Sequence, residues 1–171
     1  MKKIFLVMVA VLCVASVSAQ NKVQDAVNYV ASQKWSVGLR VNYGAQVVAE
    51  CFYSDKAYIE GRLGIFNGLA ADFTVLHNWN CCAWDWTPSA GQWYLDAGVG
   101  GNIGGASHFC YGGVVGTVKF GIKFNKVPIR LAIDYSPSIN IGGDIGKGAS
   151  RSVGLYTAGF YNGGLSATWC F

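Results

Sequence analysis

The chain has 171 residues, of which 52% are hydrophobic and 14% aromatic, but only 13% are charged, and its formal net charge is +4. This length fits one domain, and so small a net charge does not point to nucleic acid or to a strongly acidic partner. Soluble domains have about 25% charged residues, so the composition is unusual for a protein surrounded by water.

The first residues have the three parts of a secretory signal peptide. Lys2 and Lys3 form a basic start, an apolar run follows over 4–14, and Val17-Ser18-Ala19 supplies small residues for cleavage before Gln20. The run is too short for a membrane-spanning helix, which needs roughly 20 apolar residues. Residues 1–19 are therefore predicted to be a signal peptide. The protein is then exported.

Residues 20–34 are predicted to form a short periplasmic N-terminal extension. Val23, Ala26, Val27 and Val30 recur at helical spacing, which indicates a short amphipathic segment.

From Trp35 onward, apolar and polar residues alternate with a period of two, which is typical of strands with two different faces. Connections are predicted at Asn67-Gly68, around the segment that holds Trp84 and Pro88, and in a Gly-rich stretch at about 139–161. Pairing is expected to loosen at Pro137, which cannot donate to a ladder. The predicted strands lie at about 35–43, 46–53, 57–66, 69–79, 92–100, 112–124, 129–136 and 162–171.

No segment after the signal peptide is apolar for long enough to form a membrane helix, so the dispersed apolar residues point to a different structure. Only helices and closed barrels satisfy every backbone polar group inside lipid. Residues 35–171 are therefore predicted to form an all-β, eight-stranded antiparallel transmembrane β-barrel. The alternative is an exported soluble β-sandwich, whose strands also alternate.

The predicted topology places both chain ends in the periplasm. The connections after the first, third, fifth and seventh strands then face outside the cell. Two of these are short, so only the fifth-to-sixth and seventh-to-eighth connections are expected to form sizeable surface loops.

The predicted inner faces carry equal numbers of positive and negative side chains. Because unpaired buried charges are costly, matched charges imply an ionic network. An eight-stranded barrel is just wide enough for side chains to fill it, so we expect a plugged lumen without a diffusion pore. The predicted network consists of Arg40, Glu50, Glu60, Arg62, Asp72, Asp96, Lys119, Lys123, Arg130 and Asp134.

Aromatic residues collect near the predicted strand ends, as in the two girdles of a membrane barrel. They are Trp35, Tyr43, Tyr53, Phe66, Trp79, Trp93, Phe124, Trp169 and Phe171.

A signal peptide, alternating strands and the C-terminal run Ala167-Thr168-Trp169-Cys170-Phe171 resemble the small outer-membrane barrels of the OmpA and OmpX type. The chain is similar in particular to uncharacterised short Gram-negative barrels whose fifth strand reads like Trp93-Tyr94 followed by Ala97-Gly98-Val99-Gly100-Gly101. No extra C-terminal peptidoglycan-binding domain is expected, so the resemblance is not expected to extend to the anchoring role of OmpA.

The resemblance implies that the last strand carries the signal read by the barrel-assembly machinery. That signal falls on Leu165, Ala167, Trp169 and Phe171. It also implies outer-membrane lipids and lipopolysaccharide as surroundings, and a monomeric barrel without a nucleic-acid partner.

Candidate catalytic residues are few. His77 is expected on the outer face beside Trp79, where an interfacial role is favoured over that of a catalytic base. His108 follows Ser107 in an outer loop, and Asp144 in another outer loop completes a conceivable triad.

The cysteines and glycines do not form a recognisable site. Adjacent Cys81-Cys82 are poorly placed as joint metal ligands, and the paired glycines lack the strand-to-helix setting of a phosphate loop. No cofactor or metal is expected. Five cysteines remain after cleavage, and we predict no disulfide from Cys110 to Cys81 or Cys82, because these lie at opposite ends of the barrel.

Three functions remain open from the sequence. The leading hypothesis is a non-enzymatic outer-membrane barrel with a structural or surface-interaction role. The others are a lipid-modifying outer-membrane barrel enzyme using His108 or His77, and an exported soluble β-sandwich that binds a ligand.

Overall fold

The computed structural model describes residues 34–66, 70–106, 108–144, 154–156 and 161–171. These residues form an all-β structure. No helix among them has the length and hydrophobicity needed to cross a membrane. The strands are β1 (Trp35–Val41), β2 (Gly44–Ser54), β3 (Ala57–Phe66), β4 (Ala70–Thr87), β5 (Gly91–Ala106), β6 (Phe109–Phe124), β7 (Ile129–Tyr135), β8 (Ser138–Asp144), β9 (Gly154–Tyr156) and β10 (Gly163–Cys170).

The strands close into an antiparallel barrel. Neighbours in sequence pair from β1 to β7, and β10 pairs with both β7 and β1, which completes the circle. β8 continues the line of β7 along β6, so these two segments count as one barrel strand. The prediction of eight antiparallel barrel strands is thereby confirmed. A closed barrel also excludes the β-sandwich alternative.

The break between β7 and β8 falls at Ser136 and Pro137. Pro137 has no N–H to give to the ladder, which explains the interruption expected there. The contact with β6 continues across the break, because the Gly116 N–H donates to the Pro137 carbonyl at 2.9 Å.

The barrel has two different ends. The terminal end contains Lys34 and Phe171 together with the turns at 55–56, 88–90 and 125–128. The loop end contains the connection at 42–43, the end of β3 at Phe66, the start of β4 at Ala70, and His108.

Alternation along each strand separates an inner face from an outer face. In β1, Ser36 and Arg40 are buried, whereas Val37 and Leu39 are exposed. The same parity holds in β2, where Gln46, Val48 and Glu50 are buried between exposed neighbours. Successive residues of a strand point to opposite sides, so a closed sheet encloses one set and displays the other.

β4 is longer than the sequence predicts. It continues to Thr87 and includes Trp84 and Trp86, which were expected in a connection. The register shifts between Asn80 and Cys82. A β-bulge of this kind inserts one residue and reverses the alternation, so the outward positions become even-numbered beyond it. Because the inner and outer positions exchange at the bulge, a prediction based on strict alternation ends the strand too early.

The fifth-to-sixth connection was also predicted wrongly. β5 runs to Ala106 and β6 starts at Phe109, so the two strands are separated by two residues instead of the expected long loop. Cys110 consequently lies within β6, opposite Gly105. The Gly-rich sequence at 98–105 resembles a loop, but ladder pairing uses backbone groups that glycine retains.

The seventh-to-eighth connection is partly strand as well. β8 and β9 occupy segments of the Gly-rich stretch that was predicted to be irregular, and they pair with each other. The predicted signal peptide, most of the predicted extension and the Asn67-Gly68 turn lie outside the described residues.

Candidate functional site

The charged residues of the predicted network lie in the barrel interior. Nine of the ten are at most 6% exposed, and Lys123 is half-buried. The structure joins most of them through direct ion pairs, described below.

Arg40 and Asp134 form the most regular of these pairs. The Arg40 guanidinium donates to Asp134 from Nε at 2.8 and 3.0 Å and from Nη2 at 2.6 Å. Its Nη1 donates to Gln46 Oε1 at 2.6 Å. A bidentate contact of this kind fixes the geometry of both groups and is stronger than a contact between neutral partners.

A second group of charges spans the full width of the barrel. Lys119 on β6 reaches Glu50 on β2 at 3.1 Å and Glu60 on β3 at 2.6 Å. β2 and β6 are diametrically opposite in the strand order. Arg62 of β3 similarly donates to Ser136 beyond β7 at 2.9 Å. These contacts fill the cross-section with side chains.

Arg130 completes this group toward the terminal end. It contacts Glu50 at 2.8 Å and Asp96 at 3.1 Å. Its guanidinium also lies over the rings of Phe52, Tyr58 and Tyr94, at 4.9, 5.2 and 4.4 Å from their centroids. Cation–π contacts of this kind strengthen when the groups are removed from water, as they are here.

Uncharged side chains complete the network, and the sequence analysis assigned them no role in it. Tyr58 donates to Asp96 at 2.8 Å, Asn78 donates to Glu60 at 2.6 Å, and Ser36 donates to Glu50. Strand alternation predicts that these side chains point into the barrel. It does not predict which side chain each of them bonds to.

Glycines provide room for the long inward side chains. A Cβ atom added at Gly164 would lie 2.7 Å from the Arg40 guanidinium carbon, and one at Gly121 would lie 2.7 Å from the Tyr94 ring. A larger residue at either place would displace the group above it.

Asp72 and Lys123 lie toward the two ends of the predicted network. Asp72 accepts hydrogen bonds from Thr74 and Tyr111. Lys123 borders a cavity of about 210 Å³ at the terminal end, whose lining includes Tyr94, Arg130 and Cys170. Ion pairs are concentrated between Arg40 and Arg130.

The outer face has the opposite character. Large apolar side chains are exposed on almost every barrel strand, at fractions that would be unusual on a soluble protein. Examples are Leu39 60%, Val47 51%, Leu63 60%, Phe73 46%, Val99 46%, Val114 62%, Val118 47%, Ile133 60% and Leu165 37%.

Four aromatic rings form a continuous cluster on the outer face near the terminal end. Trp84 stacks on Trp86 at 5.4 Å, and Trp93 stacks on Phe120 at 5.4 Å, with Trp86 contacting both Trp93 and Phe120. Phe124 was expected among the exposed aromatics but is only 9% exposed, and the side chain of Phe66 is outside the described set.

The residues of the predicted assembly signal share one face of β10. Leu165, Ala167, Trp169 and Phe171 are all exposed on the outside, whereas Thr168 and Cys170 are buried.

The two histidines are separate from the charged interior. His77 interacts with the Tyr53 hydroxyl and packs edge-on against Trp79 at 4.4 Å. His108 is exposed beside the hairpin of β5 and β6. Asp144 ends β8 opposite Phe109, so it belongs to a strand and not to the predicted loop.

Five cysteines in the described residues are free thiols: Cys51, Cys81, Cys82, Cys110 and Cys170. Within the described ranges, no three His, Cys, Asp or Glu side chains are grouped to hold a metal ion. Comparisons of the chain with protein-family models, with curated proteins and with solved structures found no match.

Proposed function

We propose that this chain is a non-enzymatic outer-membrane β-barrel of a Gram-negative cell, with a plugged polar lumen and a structural or surface-interaction role. One observation carries the proposal: the barrel has charged residues inside and exposed apolar residues around its outside. This polarity is the inverse of a soluble domain and matches what lipid requires of a closed barrel.

The aromatic cluster near the terminal end supports the same setting. Amphipathic rings such as those of Trp84, Trp86 and Trp93 prefer the boundary between lipid and water. The polarity of the outer face favours outer-membrane lipids and lipopolysaccharide as its partners. The exposed apolar face of β10 is suited to recognition by the barrel-assembly machinery. The circle of barrel strands has no unpaired edge for a second copy to cover, which favours a monomer.

Fractionation of Gram-negative cells that express the full chain tests the location. We expect the protein in the outer-membrane fraction, and we expect its gel mobility to change when the sample is boiled, because folded barrels resist denaturation at room temperature. A variant lacking residues 1–19 should remain inside the cell and serves as the export control. Recovery of the full chain from the soluble periplasm would contradict the proposal.

Planar-bilayer recording tests the plugged lumen. The contact of Lys119 with Glu50 crosses the interior at 3.1 Å, which supports a lumen without a continuous water path for ions through this layer. Purified protein should therefore give no steady open-channel conductance. Steady conductance would contradict the plugged lumen and would favour a role in transport.

A further inference from the structure

Among the described residues, the loop-end half of the interior contains a buried carboxylate without a cationic partner. Asp72 is 5% exposed. Within the described part of the chain, none of the ion pairs includes it. Its donors are neutral hydroxyls, from Thr74 at 2.8 Å and from Tyr111 at 2.9 Å. Burying an ionised carboxylate is unfavourable unless a cation or several hydrogen bonds compensate it.

Two buried amide oxygens in the same half also lack partners. Asn102 is 9% exposed and Asn140 is 8% exposed. In the described part of the structure, the Oδ1 atom of each has no hydrogen-bond donor. Buried acceptors are nearly always hydrogen-bonded to protein or to ordered water, so two acceptors without donors in one region point to water or a cation that contacts them.

The strand register places these three residues on neighbouring rows of the inner face. Asp72 is opposite Gly104, which is opposite Tyr111. Two residues further along, Asn102 is opposite Gly113, which is opposite Asn140. Diagonal neighbours two residues apart share a face, and their Cα atoms are roughly 7–8 Å apart. Thr74, whose hydroxyl donates to Asp72, is directly opposite Asn102.

Two glycines leave room for the polar groups to approach one another. A Cβ atom at Gly113 would lie 2.3 Å from Asn140 Oδ1, and one at Gly104 would lie 2.4 Å from the Tyr111 hydroxyl. The Asn140 oxygen therefore lies over Gly113, on the side of Asn102. The Tyr111 hydroxyl lies over Gly104, on the side of Asp72.

We propose that Asp72, Asn102 and Asn140, termed the loop-end oxygen cluster, bind one Ca²⁺ ion in the barrel interior. The donors are a carboxylate and amide oxygens, which are hard ligands that suit Ca²⁺. The set contains no imidazole or thiolate, which disfavours zinc and copper. Ca²⁺ tolerates irregular geometry and accepts water as additional ligands, whereas Mg²⁺ demands a near-octahedral site.

The ligand count also sets the expected affinity. One carboxylate with neutral oxygens is a weakly charged site, so the Kd is expected at about 10⁻⁴ to 10⁻³ M, as in extracellular Ca²⁺ modules.

Equilibrium dialysis with radioactive Ca²⁺ tests this inference, using the purified protein in neutral detergent after removal of metals with a chelator. We expect one ion per chain, and binding of Mg²⁺ that is at least about tenfold weaker. Asp72→Asn keeps the shape of the side chain but removes its charge, and it should weaken Ca²⁺ binding at least about tenfold. Asp55→Asn alters an exposed carboxylate at the terminal end and should bind like the wild type.

Asn140→Ala provides a second test if Asp72→Asn fails to fold. It should weaken Ca²⁺ binding while the gel mobility of the folded barrel is retained. Absence of Ca²⁺ binding by the wild-type protein would overturn the inference, and so would wild-type binding by both variants, which would assign the ion to an exterior site. The site is independent of the membrane, so these results do not depend on the proposed location.

Discussion

Replacement of Arg40 by Met is expected to destabilise the barrel by about 3 kcal/mol. Removal of one partner of a buried ion pair typically costs about 3–5 kcal/mol, because the other charge remains buried without compensation. Arg40 is 0% exposed and holds Asp134 in a bidentate contact. The lower part of the range is expected, because Arg62 remains 3.9 Å from Asp134 and Ser136 still donates to it at 3.0 Å.

A double-mutant cycle separates this pair from the rest of the network. Arg40→Met with Asp134→Asn removes both charges, so the double variant should be about 2 kcal/mol more stable than the sum of the two single effects predicts. Urea unfolding in lipid vesicles, followed by tryptophan fluorescence, measures each free energy. Lys56→Met at an exposed turn is the control and should change stability by less than about 0.5 kcal/mol. Additive single effects would show that the two side chains are not coupled.

Three further predictions test the interior, the outer face and the last strand. Gly164→Ala should cost about 1–3 kcal/mol by displacing the Arg40 guanidinium, whereas Gly163→Ala, whose added Cβ would meet nothing closer than 3.7 Å, should cost much less in the same unfolding assay. Leu63→Arg should cost about 2–4 kcal/mol in lipid vesicles, because Leu63 is exposed on the predicted lipid face. Deletion of Phe171 should lower the amount of heat-modifiable barrel in cells without altering export, and unchanged assembly would remove Phe171 from the assembly signal.

Strand alternation predicted the fold because one parity persists through most of each strand. The inner and outer faces of β1 to β3 follow directly from the sequence, and so does the burial of the charged residues. The parity of a residue does not reveal which opposite strand its side chain reaches. For that reason the cross-barrel contact of Lys119 with Glu50 and the contacts of Arg130 with three rings emerged only from the closed structure.

The errors in the predicted bounds of β4, β5 and β6 have two physical causes. A bulge at Asn80 and Cys82 changes the phase of β4, so a strict period of two ends there although pairing continues to Thr87. In the hairpin of β5 and β6, glycines replace the side chains that would reveal a strand. Those glycines serve packing, because Gly104 and Gly113 leave the space occupied by the Tyr111 hydroxyl and the Asn140 amide.

The length of β4 bears on how the barrel would be positioned in a bilayer. Its 18 residues extend roughly 60 Å along the strand, and even when tilted they exceed an apolar band of roughly 25 Å. β3 begins opposite Trp79, so in the described part of the chain residues 81–87 pair only with β5. An unpaired strand edge is not tolerated in hydrocarbon, because its N–H and C=O groups would lack partners. The hydrocarbon at this end should therefore stop near Trp79, so that residues 81–87, including Trp84 and Trp86, lie in the interfacial region where water reaches the unpaired edge.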